Sequence, residues 1–518
     1  MANEASLDTL PPLSGGRLIG ATIVLALAVF MNVLDVSIAN VSIPTIAGDL
    51  AVSASQGTWI ITVFAVCNAV TVPISGWLSR RFGQVRLFVF CTLLFTLFSW
   101  LCGFASNFEL LLTFRGLQGA AAGPMIPISQ SLLLACYPRE KRGLANGIYG
   151  MTAVVGPIAG PILGGWITDH INWSWIFYIN VPVGLIVAPA CWLLLKDRET
   201  PVRREGVDLV GLVLLIIGVG SLQVMLDQGA EKAWFQSDYI ITLSVVAAIF
   251  LCVLVIWEWT AERPIIDIHL FRDRNFAVGT ILLCLGYMVF FGAIVILPLW
   301  LQTGMGYTAT WAGMATASMG ILGVVASPLA GRLSDKVDAR YLVTFGFFVF
   351  ASVSFYNSHA NPFITFEQIF LPRLPWGIGT AFFFIPLMAI AFSRLPTSEL
   401  AGASALLNFL RQLFLGFGTS FATTLWDDRA TFHDHRLNSH LTPFDPATHQ
   451  WLQRLQDQGL SLEQAQRLLA NEVSHQALIM STNDVFYVSG WIFAALMLVV
   501  WLAKSTQEES AAATAQAH

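Results

Sequence analysis

Charge is what this sequence has least of. Lys, Arg, Asp and Glu make up 11% of its 518 residues and apolar residues 56%, where ordinary soluble domains carry about 25% charged residues. That balance excludes a string of soluble domains and leaves a chain that crosses a membrane many times. The seven cysteines, at 67, 91, 102, 136, 191, 252 and 284, lie in or at the ends of apolar runs, and none forms a CxxC pair. Neither a disulfide framework nor a metal site is supported. GxxxxGK[ST] is absent, so ATP is not expected to act directly. No nucleophile–base pair suggests an enzyme, and no cofactor is expected. The net charge of −5 argues against a nucleic-acid partner. The first apolar run is too long for a cleavable signal and lacks a small-residue cleavage site at its end.

What is present is fourteen apolar runs, at roughly 18–44, 57–79, 85–106, 109–136, 143–168, 174–195, 207–227, 239–259, 276–301, 309–331, 340–357, 364–392, 401–426 and 484–503. Each is long enough, at ~1.5 Å per residue, to cross a ~30 Å hydrocarbon layer. Most of the 27 Lys and Arg fall in alternate loops, on the side of the N-terminus. By the positive-inside rule both termini are cytoplasmic and the number of spans is even.

The chain repeats itself. Gly76-Trp-Leu-Ser-Arg-Arg-Phe-Gly after the second run matches Gly331-Arg-Leu-Ser-Asp-Lys-Val-Asp after the tenth, and Arg115-Gly-Leu-Gln-Gly in the fourth matches Arg373-Leu-Pro-Trp-Gly in the twelfth. The expected fold class is an all-α membrane protein with two six-helix halves, 18–196 and 275–503. Residues 197–274 form an inserted pair, and 1–17 and 504–518 are cytoplasmic ends. Such repeats build secondary transporters, with the site near mid-membrane between the halves. The segment 427–483 reads as a loop outside the membrane. Asp445-Pro446 starts one helix in it and the capping box Ser461-Leu-Glu-Gln464 another. It is either a linking hairpin or a docking surface for a periplasmic partner.

Between Arg17 and Asp49 the one formal charge is Asp35. A charge inside a span costs roughly 2.5–3.5 kcal/mol on insertion scales, which marks it as functional by default. Asn32, Asp35, Ala39 and Ser42 form a polar stripe at helical spacing. Arg115 lies roughly 9 Å and Asp35 roughly 14 Å from the outer ends of their spans, so the two can meet. A carboxylate there is either a proton-coupling group switched by its arginine or half of a permanent ion pair. Arg411, with Asn408 and Gln412, lines a cavity from the second half. Glu367 and Arg373 are placed to pair locally. Asn32, Asn40, Gln118, Tyr149, Tyr287 and Arg373 complete the set of cavity candidates. No histidine falls at mid-membrane, so a histidine relay is not expected.

Two further motifs concern movement. Gly76, Arg81, Gly83 and Arg86 in the first short loop resemble the signature loop of the major facilitator superfamily, with Gly331 and Asp335 in the second copy. The acidic residue usual in the first copy is replaced by Arg80. In the fifth run, Gly156-Pro157, Gly160-Pro161 and Gly164 put a face without side chains at four-residue spacing, on which another helix can pack closely. Pro157 and Pro161, one turn apart, permit a bend. This resembles the antiporter signature of drug exporters.

Further stretches carry the likeness along nearly the whole chain: Leu34-Asp-Val-Ser-Ile-Ala-Asn-Val-Ser-Ile-Pro44, Gly57-Thr-Trp-Ile, Gly123-Pro-Met-Ile-Pro-Ile-Ser-Gln-Ser131, Trp175-Ile-Phe-Tyr-Ile-Asn-Val-Pro-Val-Gly184 and Tyr307-Thr-Ala-Thr-Trp-Ala-Gly313. They resemble the fourteen-helix drug:proton antiporters of the superfamily, of the EmrB type. The resemblance implies export of lipophilic drugs, uncouplers or fatty acids driven by the proton gradient. It also implies a Gram-negative inner membrane, a membrane-fusion adaptor of the EmrA type and an outer-membrane channel of the TolC type. The family's membrane-embedded acid and arginine map onto Asp35 and Arg115. A solute:proton symporter on the same fold is the competing expectation.

Overall fold

The computed structural model describes residues 12–505, apart from 53, 139, 140, 203–205, 207, 262, 263, 335, 397, 398 and 442–444. Asp335 therefore lies outside the described residues, as do the side chains of Asn40, Pro157 and Pro161. Among the described residues every regular element is helical. The first half contains α1 (Gly15–Asp49), the single turn α2 (Ala54–Gly57), α3 (Trp59–Phe82), α4 (Gln84–Gly103), α5 (Phe108–Cys136) and α6 (Arg142–His170), then the turn α7 (Trp175–Tyr178) leading into α8 (Asn180–Leu195). The inserted pair is α9 (Leu209–Gln228) and α10 (Asp238–Thr260). The second half runs α11 (Arg274–Thr303), α12 (Ala309–Ser334), α13 (Ala339–Asn357), α14 (Phe366–Phe392) and α15 (Leu400–His440), then the short α16 (Pro446–Asp457) and α17 (Leu462–Val499).

Twelve of these helices are long and apolar enough to cross a membrane. The other two expected spans are α6 and α15, of 29 and 41 residues, which are also long enough at ~1.5 Å per residue. Helix starts follow the caps written in the sequence. Asn107 accepts from the Leu110 N–H at 2.9 Å, Asp273 from Phe276 at 2.9 Å, and Thr365 closes a capping box with Gln368. Each carboxamide, carboxylate or hydroxyl satisfies an amide that the first turn leaves unpaired.

In the segment 427–483 the two expected helix starts are present, at Asp445-Pro446 and at Ser461, but most of it continues the flanking spans and little is loop. The thirteenth span continues to His440, and the helix opened by Ser461 runs without interruption into the last span. Apolar runs report where hydrocarbon ends, but a helix stops only at a breaker or cap. Neither 427–440 nor 462–489 contains Gly or Pro. The two extensions zip together: Trp426 Nε1 donates to Thr482 Oγ1 at 2.8 Å, Arg429 pairs with Asp484 at 2.6 Å, and Ser474 donates to Asp434 at 3.2 Å. Among the described residues, α16 is the one helix between them. It is capped by Asp445, whose carboxyl the Thr448 N–H and hydroxyl hold below the usual range.

Within the first half α1 packs on α6, and α5 on α3 and α4; within the second, α14 packs on α12 and α13, and α15 on α11 and α17. α9 touches both α3 and α15, and so joins the two halves along one flank. The halves themselves meet most closely at the end that carries the short basic loops. A Cβ placed on Gly147 would lie 2.8 Å from the Ser327 carbonyl oxygen, and one on Gly331 3.1 Å from Leu144 Cα. Gly76 faces Gly402 Cα at 3.6 Å in the same sense. Farther from that end the same helices pack inside their own halves: Gly160 of α6 against Ser37 of α1, and Gly377 of α14 against Gly323 of α12.

Candidate functional site

Asp35 and Arg115 are 0% and 1% exposed and form an ion pair, Arg115 Nη1 to Asp35 Oδ2, at 2.7 Å. α1 supplies the acid and α5 the base. Two neutral donors complete the carboxylate: Gln118 Nε2 at 3.0 Å and Asn180 Nδ2 at 2.8 Å, both to Oδ1. Gln118 sits one turn beyond Arg115 and also accepts from its Nη1 at 2.8 Å. Asn180, at the start of α8, bonds Ser99 Oγ at 3.0 Å. The guanidinium is held further by Nε donating to the Ile60 carbonyl at 3.3 Å and by the faces of Phe64 and Phe177, 4.3 and 5.4 Å from Cζ. Both carboxylate oxygens and the Nε and Nη1 of the guanidinium therefore have partners, which helps make two buried charges tolerable in a low dielectric.

Asn180, Phe64 and Phe177 escape the sequence reading, since uncharged residues in an apolar span carry little signal. Asn180 had one: it is the lone amide in the run 174–195. Gln118, read as a cavity candidate, belongs to the ion pair instead. Asn32 is also placed away from the cavity; its Nδ2 donates to the Ala122 carbonyl at 3.0 Å and ties α1 to α5.

The glycine face of α6 lies against α1 on either side of Asp35. A Cβ on Gly156 would sit 2.6 Å from Val33 Cγ1, one on Gly160 2.5 Å from Ser37 Cβ, and one on Gly164 2.8 Å from Ile38 Cγ1. The backbone of α6 thus presses on the helix that holds the acid, at the residues that flank it.

A second group of candidates gathers between the halves. Arg411 of α15 stands over Tyr287 of α11 and Phe384 of α14, at 5.2 and 5.3 Å, and beside Tyr149 of α6. Tyr287 and Phe384 line a narrow, mostly apolar cavity of about 20 Å³, together with Gly150, Phe290 and Met319. It has room for one water and not for a drug. Asn408 reaches across the halves instead: its Nδ2 donates to Gln130 Oε1 at 3.0 Å, which Ser404 also bonds at 2.8 Å. Gln130 was not among the candidates, although it is one of only two glutamines in its span. Gln412 is half-buried on the same helix.

Glu367 and Arg373 do not pair. Glu367 is exposed in the first turn of α14, while Arg373 is fully buried and faces Trp376 and Phe486 at 5.1 and 5.7 Å. Six residues apart on a helix, the two side chains point in different directions.

In the first signature loop, Gly83 has φ of +89°, a conformation that favours glycine. The space a side chain would fill there holds the Glu199 carboxylate. Glu199 accepts from the Val85 and Arg86 N–H groups at 3.0 and 2.9 Å, and lies 3.8 Å from Arg86 Nε. An acid from the far end of the half thus caps α4. Arg81 sits half-buried in the last turn of α3.

Two helical halves, the first holding a buried ion pair, with an inserted helix pair at the flank, define a multi-pass transporter, and the chain belongs to the major facilitator superfamily, whose model matches residues 25–419. It is 48% identical to "Multidrug export protein EmrB" of Haemophilus influenzae, over 97% of this chain and 99% of that protein. It is 46% identical to "Fatty acid resistance protein FarB" of Neisseria gonorrhoeae, over 95% and 97%. The fold is similar to that of the proton:xylose symporter XylE, with a TM-score of 0.60 at 13% identity, covering 94% of this chain and 95% of that one.

Proposed function

We propose that this chain exports lipophilic compounds, driven by protons and working by alternating access. The observation that carries the proposal is the fully buried Asp35–Arg115 pair, set on the helix against which α6 lays its glycine face. Protonation of Asp35 removes the counter-charge of Arg115 and loosens α1 from α5. α6 feels that change through Gly156, Gly160 and Gly164, and at its other end it meets α12 of the second half through Gly147. One helix therefore links the proton site to the contact between the halves.

The positive-inside rule makes the basic end cytoplasmic, so the arrangement described here is closed on that side. Protons enter from outside, drug leaves outward, and the membrane potential adds ~2.3 kcal/mol per charge per 100 mV. The resemblance to EmrB-type proteins supports an inner-membrane location, cytoplasmic termini, and an adaptor of the EmrA type with a channel of the TolC type. The paired extensions of α15 and α17 are the part of the chain best placed to meet such an adaptor. The likeness to FarB favours fatty acids as a second substrate class.

Everted vesicles test the proposal. With an imposed proton gradient they should accumulate a lipophilic dye and release protons from the lumen; co-uptake of proton and solute in right-side-out vesicles would make the chain a symporter instead.

A further inference from the structure

The second half contains a buried arginine that lacks what its counterpart in the first half has. Arg373 is 0% exposed, and none of its three guanidinium nitrogens finds an acceptor among the described residues. Its neighbours Trp376 and Phe486 offer ring faces, which attract a cation but leave the five N–H donors in its plane unused. Other unpartnered polar atoms occur on the same helix and on its neighbour α13: the indole Nε1–H of Trp376, the hydroxyl of Ser354 and the amide nitrogen of Asn357. α13 packs on α14 here, with Phe350, one turn before Ser354, 4.8 Å from the Trp376 ring.

The repeat explains the arrangement. Ser354 stands 255 residues after Ser99, the spacing that also separates Gly76 from Gly331, and Arg373 stands 258 after Arg115. In the first half this framework closes around the Asp35 carboxylate. In the second, the positions 255 to 258 residues after Asp35 are Phe290 to Ala293, none of them acidic. The arginine and the serine recur, Trp376 stands where Gln118 would, and the built-in anion is gone.

We propose that Arg373, Trp376 and Ser354 form an anion-binding site that takes a singly charged anion from outside the chain, either a carboxylate or a halide. A guanidinium buried without a counter-charge is among the most costly groups a protein can hold, and its planar fork matches a carboxylate edge. Access is short. Phe290, stacked on Trp376 at 6.0 Å, also lines the narrow cavity between the halves, so one ring separates the buried guanidinium's surroundings from that cavity. The site stands whether or not the chain is an exporter.

The test is thermal unfolding of the purified full chain in a neutral detergent, in a low-salt buffer whose anion is the divalent sulfate. Two additions are compared: chloride against sulfate of equal ionic strength, and micromolar laurate against dodecanol. A rise in the midpoint with chloride identifies a free halide as occupant; a rise with laurate beyond that with dodecanol identifies the head of a lipophilic acid. Arg373→Met should abolish the response that the parent shows. If Arg373→Met does not fold, Trp376→Phe keeps the ring and removes one donor, and should weaken half-saturation at least threefold. The proposal is overturned if neither anion moves the parent, if Arg373→Met responds as the parent does, or if half-saturation is unchanged in Trp376→Phe.

Discussion

Asn180 and Gln118 donate to the same oxygen of Asp35, leaving the other oxygen to Arg115. Three helices, α1, α5 and α8, converge on one carboxylate, so its charge state is felt by most of the first half. Replacing either neutral donor should therefore matter even though neither carries a proton. A hydrogen bond to a charged group contributes about 1.5–3 kcal/mol. Asn180→Ala is expected to lower stability by an amount in that range and to reduce efflux, read by unfolding of the purified protein and by dye transport.

Asp35→Asn removes the proposed coupling group and leaves Arg115 buried without a counter-charge. Breaking such a pair from one side costs about 3–5 kcal/mol. Asp35→Asn should abolish proton-coupled efflux and lower the unfolding midpoint, and the double variant Asp35→Asn/Arg115→Met should regain part of the stability but none of the transport. Wild-type efflux in Asp35→Asn would reject the role given to this residue.

The close approach of α6 to α1 leaves no room for a methyl at its centre. Gly160→Ala would bring Cβ to 2.5 Å from Ser37 Cβ, and overpacking of this kind costs about 1–3 kcal/mol. Efflux should fall with stability in Gly160→Ala and be lost in Gly160→Leu. Gly48, where a Cβ meets nothing within 4 Å, should accept alanine without loss of transport.

Closure at the basic end can be caught chemically. A Cβ on Gly76 would lie 3.9 Å from Ala405 Cβ, within the span of a disulfide. With Cys67 and Cys252 replaced, Gly76→Cys/Ala405→Cys should cross-link on mild oxidation and stop transport, and reduction should restore it. Failure to cross-link in the resting protein would contradict the closed basic end.

Asp338 caps α13, accepting from the Arg340 N–H at 3.0 Å and pairing with its guanidinium at 2.7 Å. Burial pushes its carboxyl up, but the Arg340 and Ser505 bonds outweigh that and hold it below the usual range. A depressed carboxyl stabilises the fold above its unfolded pKa and loses that contribution as pH falls. Asp338→Ala should cost about 0.5–2 kcal/mol at neutral pH, and the gap to the parent should close as the medium is taken below about pH 4.

The spans, the repeat and the central ion pair were legible because they rest on rarity: a charge in a long apolar run stands out whatever surrounds it. What was not legible depends on rotation and on partners. Asn180 and Gln130 are ordinary amides until their helices turn them inward. Asn32 and Gln118 read as cavity residues because polarity inside a span does not say which neighbour a side chain faces. Glu367 and Arg373 were joined by proximity in sequence, and the helix separates them. The extensions of α15 and α17 were missed because hydropathy marks the edge of the bilayer and says nothing about where a polar helix ends. Glu199 went unread because charges at a short loop look like topology markers alone.

The inserted pair has a consequence for how cargo arrives. α9 seals one seam of the molecule, with Val66 of α3 beside Gly220 and the Ser420 hydroxyl of α15 bonded to the Leu226 carbonyl at 3.1 Å. A greasy molecule dissolved in the bilayer finds that side door blocked. On the proposed mechanism, sideways entry would be left to the opposite seam, where α6 meets α12, so the helix packed on the proton site would also be the doorpost the cargo brushes past.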